Sequence, residues 1–153
     1  MSAIEAKHSI TLEGALRLVN EALRRAKEMN LSVAVAVVDE SCLMKAQARM
    51  DGTTIFASEI ALNKARTAAG FKTDTKRIWE VMVTEPPVLV GLPNLPGVAA
   101  YGGGVALIAA GECVGAIGVS GASSANDLVL AEHAATSLAV EFEAMPASRE
   151  EKS

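Results

Sequence analysis

Apolar residues recur every three or four positions early in the chain: Leu12, Ala15, Leu16, Val19, Ala22, Leu23, Ala26 and Met29. That spacing predicts one face of an amphipathic helix, with Glu13, Arg17, Asn20, Arg24 and Lys27 on the other side. Thr11 is the expected N-cap, Glu13 suits the first turn, and Asn30 is the expected left-handed terminator. The period then changes. Residues 32–39 read Ser-Val-Ala-Val-Ala-Val-Val-Asp, a short β-branched run that predicts a strand buried on both faces. Asp39-Glu-Ser-Cys42 makes a turn. Residues 43–50 alternate, with Lys45, Gln47 and Arg49 opposed to Met44, Ala46, Ala48 and Met50. This is a hairpin partner with one polar face, ended by Asp51-Gly52.

Thr53 or Thr54 is expected to cap a second helix running to about Gly70. A short helix is expected around residues 77–82, preceded by the cap candidates Thr73 and Asp74. Residues 85–100 carry Pro86, Pro87, Pro93 and Pro96 and are expected to be an irregular excursion. Long loops in compact domains are often functional. Residues 105–110 and 113–119 predict a second hairpin around Gly111-Glu112, with the glycine placed for a type II′ turn. Ser124-Ala-Asn-Asp127 resembles a capping box with Asp in place of Glu. A last helix follows, with Leu128, Ala131, Ala134, Ala135, Leu138, Ala139 and Phe142 facing inward. The order is helix, hairpin, helix, loop, hairpin, helix. It predicts an α+β domain with a mainly antiparallel sheet and helices packed on it. One domain spans residues 1–153, with a core of about 11–143 and flexible ends at 1–9 and 146–153.

Composition sharpens this picture. Half of the residues are hydrophobic but only 3% are aromatic, so Ala, Val, Leu, Ile and Met must build a closely packed core. A net charge of -4 gives no basic patch of the kind nucleic acids need. Residues 1–10 contain Glu5, Lys7 and His8 and lack the apolar segment of a secretion signal, and no run is long enough to span a membrane. Cys42 and Cys113 stand alone, without CxxC or histidine spacing, as expected for reduced thiols of a cytoplasmic protein. No metal triad is visible. His133 lies beside Val129 and Val140 on the outer side of the last helix, and His8 in the N-terminal arm.

Lys64 breaks the pattern. It falls inside the wide apolar arc of Phe56, Ala57, Ile60, Ala61, Leu62, Ala65, Ala68 and Ala69, while Glu59, Asn63 and Arg66 form the polar stripe opposite. A lysine aimed at a core must snorkel, find a partner or line a polar cavity. One reading pairs it with a carboxylate or a helix-end carbonyl; the other makes it an anion anchor or a general acid or base. Arg49-Met-Asp51-Gly52 is either a turn with a surface ion pair or a carboxylate clamp. Tyr101-Gly-Gly-Gly104 is either a bend or a backbone nest facing an anion. Gly115, Gly118 and Gly121 have the wrong spacing for a dinucleotide fingerprint.

Five segments also occur in the order found in one known family: Val33-Ala-Val-Ala-Val-Val-Asp39, Arg49-Met-Asp-Gly52, Leu62-Asn-Lys-Ala-Arg-Thr-Ala68, Gly102-Gly-Gly104, and Val114-Gly-Ala-Ile-Gly-Val-Ser-Gly-Ala122 with Asp127. From about Thr11 to Ala139 the chain resembles the GlcG/HbpS family, which includes the C-terminal domain of PduO-type corrinoid adenosyltransferases. The resemblance implies a profilin-like fold with a five-stranded antiparallel sheet and helices on both faces. It also implies homo-oligomers, from dimers up to octamers, and haem as a possible ligand. The family often has Gly-Gly-Val-Pro where this chain has Gly103-Gly104-Val105-Ala106.

These readings lead to two main expectations. The first is a cytoplasmic, cofactor-independent enzyme or binding protein for a small anionic organic acid. Its reactions would be tautomerisation, hydration or hydrolytic deamination. Lys64, Glu59 and Asp51 would carry proton transfer, and Arg49, Tyr101, Gly102, Gly103 and Gly104 would bind substrate. The alternative is a haem- or corrinoid-binding module without catalysis. A third reading, a purely structural oligomer, rests on the Ala-rich helices.

Overall fold

The computed structural model describes residues 2–146. Met1 and the expected tail beyond residue 146 lie outside the described residues. Helix α1 spans Leu12–Glu28 and strands β1 and β2 span Ala34–Asp39 and Met44–Arg49. Helix α2 spans Ala57–Phe71, α3 Thr75–Met82 and α4 Pro86–Gly91, followed by a 3-10 turn at Leu92–Asn94. Strands β3 (Gly104–Ala109) and β4 (Glu112–Ser120) precede α5 (Ser124–Thr136) and α6 (Ala139–Glu143).

The strands form one antiparallel sheet in the order β2-β1-β4-β3. Among the described residues it therefore has four strands rather than the expected five. The N-terminal arm reaches β4 through one backbone bond, from Ile10 N–H to Val114 O, and runs straight into α1, so it does not build a further ladder.

The pleat of β1 sorts the two faces. Val33, Val35 and Val37 join Leu18, Ala22, Leu130 and Ala134 in the larger core, beneath α1 and α5. Ala34 and Ala36 face Ala57 and Ala61 of α2 on the opposite side. That second interface is close because it is built from small residues. Gly104 and Gly118 lie opposite each other in the β3–β4 register. A Cβ on Gly118 would sit 2.0 Å from Ala61 O, and one on Gly104 would sit 2.6 Å from Lys64 O. The backbone of α2 thus rests directly on a glycine seat, a close approach that no other residue permits.

Several local readings change. In α1, Leu18 is fully buried while Leu12 and Leu16 are exposed, so the buried stripe is rotated toward Gly14, Ala15, Leu18, Val19, Ala22 and Ala26. Thr11 does cap it, accepting from Gly14 N–H at 3.0 Å. Helix α2 begins after Phe56 with no side-chain cap, so neither Thr53 nor Thr54 plays that part. The proline excursion coils into α4 and the 3-10 turn, because proline at the first positions of a helix gives up only an unpaired N–H. Ala110 and Gly111 both have positive φ, +51 and +78, which is the signature of a type I′ turn one residue earlier than expected. The last helix breaks at Ser137 and Leu138 into α5 and α6. Among the described residues, no helix is long and apolar enough to cross a membrane.

Candidate functional site

Lys64 projects from the sheet-facing side of α2 and is fully buried. Its Nζ donates to Asp127 Oδ2 at 2.9 Å and to Val119 O at 3.0 Å. The ring of Tyr101 covers it, 4.7 Å from Nζ to the ring centre, a cation–π contact. The pairing expectation for this lysine is the one the structure meets. Asp127, only 2% exposed, stands in the first turn of α5, where its Oδ1 accepts from Ala122 N–H at 3.0 Å. The N-cap of α5 is Ser123, whose hydroxyl accepts from Asn126 N–H. The capping pattern therefore starts one residue before Ser124, and Asp127 is released to meet Lys64.

Glycines make this meeting possible. At Gly103, with φ +127, a Cβ would come within 2.8 Å of Lys64 Nζ and 2.6 Å of Val119 O. The ion pair thus links α2 and α5, helices on opposite faces of the sheet, past the start of β3. Burial draws the Lys64 ammonium down from its ordinary range, against the pull of the Asp127 carboxylate. Burial likewise pushes the Asp127 carboxyl up, opposed by Lys64 and by the Ala122 N–H. Desolvation penalises both charged forms, so the two groups approach each other in proton affinity. The Tyr101 phenol is pushed up by burial and by the Asp127 charge.

Outside this pair lies a groove of about 620 Å³, lined by Lys76, Trp79, Tyr101, Gly102, Ser124, Ala125 and Leu128. Its volume is typical of small-molecule and cofactor sites. Trp79 and Tyr101 are the single tryptophan and the single tyrosine of the chain, and they remain 47% and 42% exposed. A protein this poor in aromatics has placed two of them on one wall. Lys76 of α3 stands at the same groove, loosely held by Glu80 at 3.9 Å. Thr75 fixes the segment behind it. Its hydroxyl donates to Tyr101 O at 2.6 Å and accepts from Gly104 N–H at 2.9 Å. Asp74 Oδ1 accepts from Ala106 N–H at 2.9 Å, a bond that a proline at that position would be unable to make.

The remaining expected site residues are not part of this cluster. Arg49 and Asp51 are exposed at the end of β2, and Glu59 is exposed on the outer side of α2. Gly102 lines the groove, Gly103 abuts Lys64, and Gly104 serves the helix seat. His8 bonds Glu112 at 3.1 Å, and His133 bonds Glu21 at 2.8 Å, both away from the groove. Sequence reasoning missed Trp79 and Lys76, read Leu128 as core, and read Asp127 as a capping residue and as part of a family segment but not as the partner of Lys64. The available signal was the rarity of aromatics, which makes a lone tryptophan beside a proline-rich stretch conspicuous.

A family model described as haem degrading protein HbpS-like matches residues 10–136. This chain belongs to the HbpS-like family. Its relatives include protein GlcG of Escherichia coli, 32% identical over 76% of this chain and 85% of that protein. Corrinoid adenosyltransferase PduO of Citrobacter freundii is 32% identical over 86% of this chain, which spans only 40% of the length of that enzyme. Among solved structures, a double mutant of HbpS from Streptomyces reticuli matches with a TM-score of 0.81 at 29% identity, covering 88% of this chain and 90% of that one. A PduOC:heme complex matches with a TM-score of 0.79 at 30% identity, covering 86% of this chain and 96% of that one. The HbpS-like fold is thus shared along nearly the whole chain, including the Lys64–Asp127 region.

Proposed function

We propose that this protein is a tetrapyrrole-binding module, with haem, which is flat and anionic, as the first candidate and a corrinoid as the second. The observation that carries the reading is the groove in which Trp79 and Tyr101 stand exposed beside Leu128 and Lys76. The exposed indole of Trp79 in a concave site favours a planar ligand, because stacking adds to the burial of apolar surface. Lys76 supplies a cation for a peripheral carboxylate. The PduOC:heme complex among the structural neighbours supports the same ligand class. Bound haem would supply an iron centre open to ligation and electron transfer. The protein's part is the slot, the charge at its rim and the rigid floor made by Lys64, Asp127 and Gly103.

Titration with haemin tests this reading. A stoichiometric Soret shift is expected, and Trp79→Ala should weaken binding at least tenfold while leaving the melting temperature nearly unchanged. Cobalamin titrated in parallel separates haem from corrinoid. Equal haemin binding by wild type and Trp79→Ala would remove the groove from the account.

A second reading, a cofactor-independent enzyme for a small organic acid, is favoured by one observation. Lys64 and Asp127 form a buried hydrogen-bonded pair behind the groove, with the Tyr101 ring over the lysine. Of the residues proposed for that chemistry from the sequence, it draws on Lys64 and Tyr101 with the Gly102–Gly104 segment; Glu59, Asp51 and Arg49 are exposed and do not line the groove. A thermal-shift screen of small carboxylates, repeated on Tyr101→Phe, distinguishes it: a shift lost in the variant favours this reading. Homo-oligomers remain part of the proposal. Leu12 and Leu16 on the outer face of α1, and Val81, Val83 and Val90 around α3 and α4, are exposed apolar groups that association would cover. The free thiols Cys42 and Cys113 support a reducing, cytoplasmic setting.

A further inference from the structure

We propose that Tyr101 is the residue of this chain that ligates ferric haem iron, through its phenolate oxygen. This rests on reading the groove as a tetrapyrrole site.

The argument is one of placement. Among the side chains that line the groove, three carry an atom able to approach a metal: Lys76, Tyr101 and Ser124. Lys76 faces the Glu80 carboxylate at 3.9 Å, and an ammonium has no lone pair to give. Ser124 offers a neutral aliphatic hydroxyl at the start of α5, a weak donor. Tyrosine is an established haem ligand. Among the described residues, no histidine, cysteine or methionine lines the groove. His8 is engaged with Glu112 beside the Gly111 turn, and His133 with Glu21 between α1 and α5. The Cys113 thiol donates to Gly115 O and the Cys42 thiol to Arg66 O. Met82 is buried beneath α3 with Ile78 and Ala100.

Tyr101 is also held still. Its backbone carbonyl accepts from Thr75 Oγ1, its ring rests on Lys64 Nζ, and the next residue, Gly102, is pressed so close to α5 that a Cβ would lie 2.7 Å from Ser124 O. The side chain is 42% exposed, so a macrocycle in the groove meets it directly. In the binding step the phenol O–H bond breaks and its proton leaves to water. The O–Fe(III) bond forms as the water or hydroxide carried by free ferric haem leaves the iron, and the oxidation state of the iron is unchanged. Burial and the nearby Asp127 charge disfavour a free phenolate, so the charge of ferric iron must drive the proton off. Ferric haem is therefore expected to bind more tightly than ferrous haem.

The test compares haemin complexes of wild type, Tyr101→Phe and His8→Ala/His133→Ala by absorption and resonance Raman spectroscopy. Phenylalanine keeps the ring over Lys64, and unchanged circular dichroism and melting temperature check that the fold survives. The wild type and the double histidine variant should show phenolate vibrations. Tyr101→Phe should lose them and bind haemin at least tenfold more weakly. Haemin binding with an identical spectrum in Tyr101→Phe, or loss of the signature in the histidine variant, overturns the assignment but leaves the groove as a haem site. No haemin binding by wild type overturns both.

Discussion

Removing the Lys64 amine tests the role of the buried pair most sharply. In Lys64→Met the Asp127 carboxylate keeps its bond from Ala122 N–H but loses its counter-charge in a site that is 2% exposed. Breaking a buried, hydrogen-bonded ion pair by removing one partner costs about 3–5 kcal/mol. Val119 O also loses its donor, which places the cost toward the upper part of that range. For a chain of this length each kcal/mol moves the melting point by roughly 2–4 °C, so the drop is on the order of 10 °C. The variant is thus expected to be less stable, not merely inactive. Lys64→Met/Asp127→Asn removes both charges while the amide oxygen still accepts from Ala122 N–H. It should recover most of the loss and lie within about 1–2 kcal/mol of wild type. Urea unfolding of wild type, both single variants and the double variant gives the coupling energy directly. A coupling below about 1 kcal/mol would refute the claim that this pair ties α2 to α5.

Other outcomes follow from the same geometry. Gly118→Ala places a methyl group 2.0 Å from Ala61 O and should destabilise by about 3 kcal/mol or more, or abolish folding; a wild-type urea midpoint would contradict the glycine seat. Ala106→Pro loses the N–H that Asp74 accepts and should cost about 1–3 kcal/mol, against an Asp74→Ala background in which the same change costs much less. Ser123→Ala removes the α5 cap and should lower stability by about 1 kcal/mol, measured by chemical denaturation. The pH dependence has a definite sign. Asp127 is raised above 3.8 in the folded state, so the folded protein holds more protons there and stability from this group falls as pH rises through that window. Lys64 is lowered below 10.5, so the unfolded chain holds more protons there and stability rises with pH toward 10.5. Relative to the double variant, wild type should gain stability toward both ends of the range; a loss at either end contradicts the shifts.

The fold was legible to the extent that local pattern decides it. Thr11, the valine run of β1 and the polar face of β2 each state their role in sequence, and the structure keeps them. The stripe of α1 was misjudged because Leu12, Leu16 and Leu18 are equally apolar, and only the angle at which the helix meets the sheet selects Leu18 for burial. The strand count, taken from family resemblance, fell from five to four because the N-terminal arm makes a single sheet bond.

The site was half legible. Lys64 stood out because a charge in the middle of an apolar arc must be satisfied somewhere. Its partner was hidden, since Asp127 is far away in sequence and sits where a helix-capping residue is also expected. Trp79 and Lys76 belong to a short helix that meets Tyr101 through a tertiary contact, the Thr75 hydroxyl bond. Arg49, Asp51 and Glu59 were drawn into the site by proximity along the chain, and the path of the β2–α2 connection leaves all three in solvent.

The single tryptophan gives the most direct measurement of the central claim. Trp79 is the chain's only indole, so its emission reports on the groove alone. Titrating haemin into the wild-type protein should quench Trp79 fluorescence in step with the Soret shift, saturating at one haem per groove. A Soret shift with unquenched Trp79, or no spectral change at stoichiometric haemin, would contradict tetrapyrrole binding at this site.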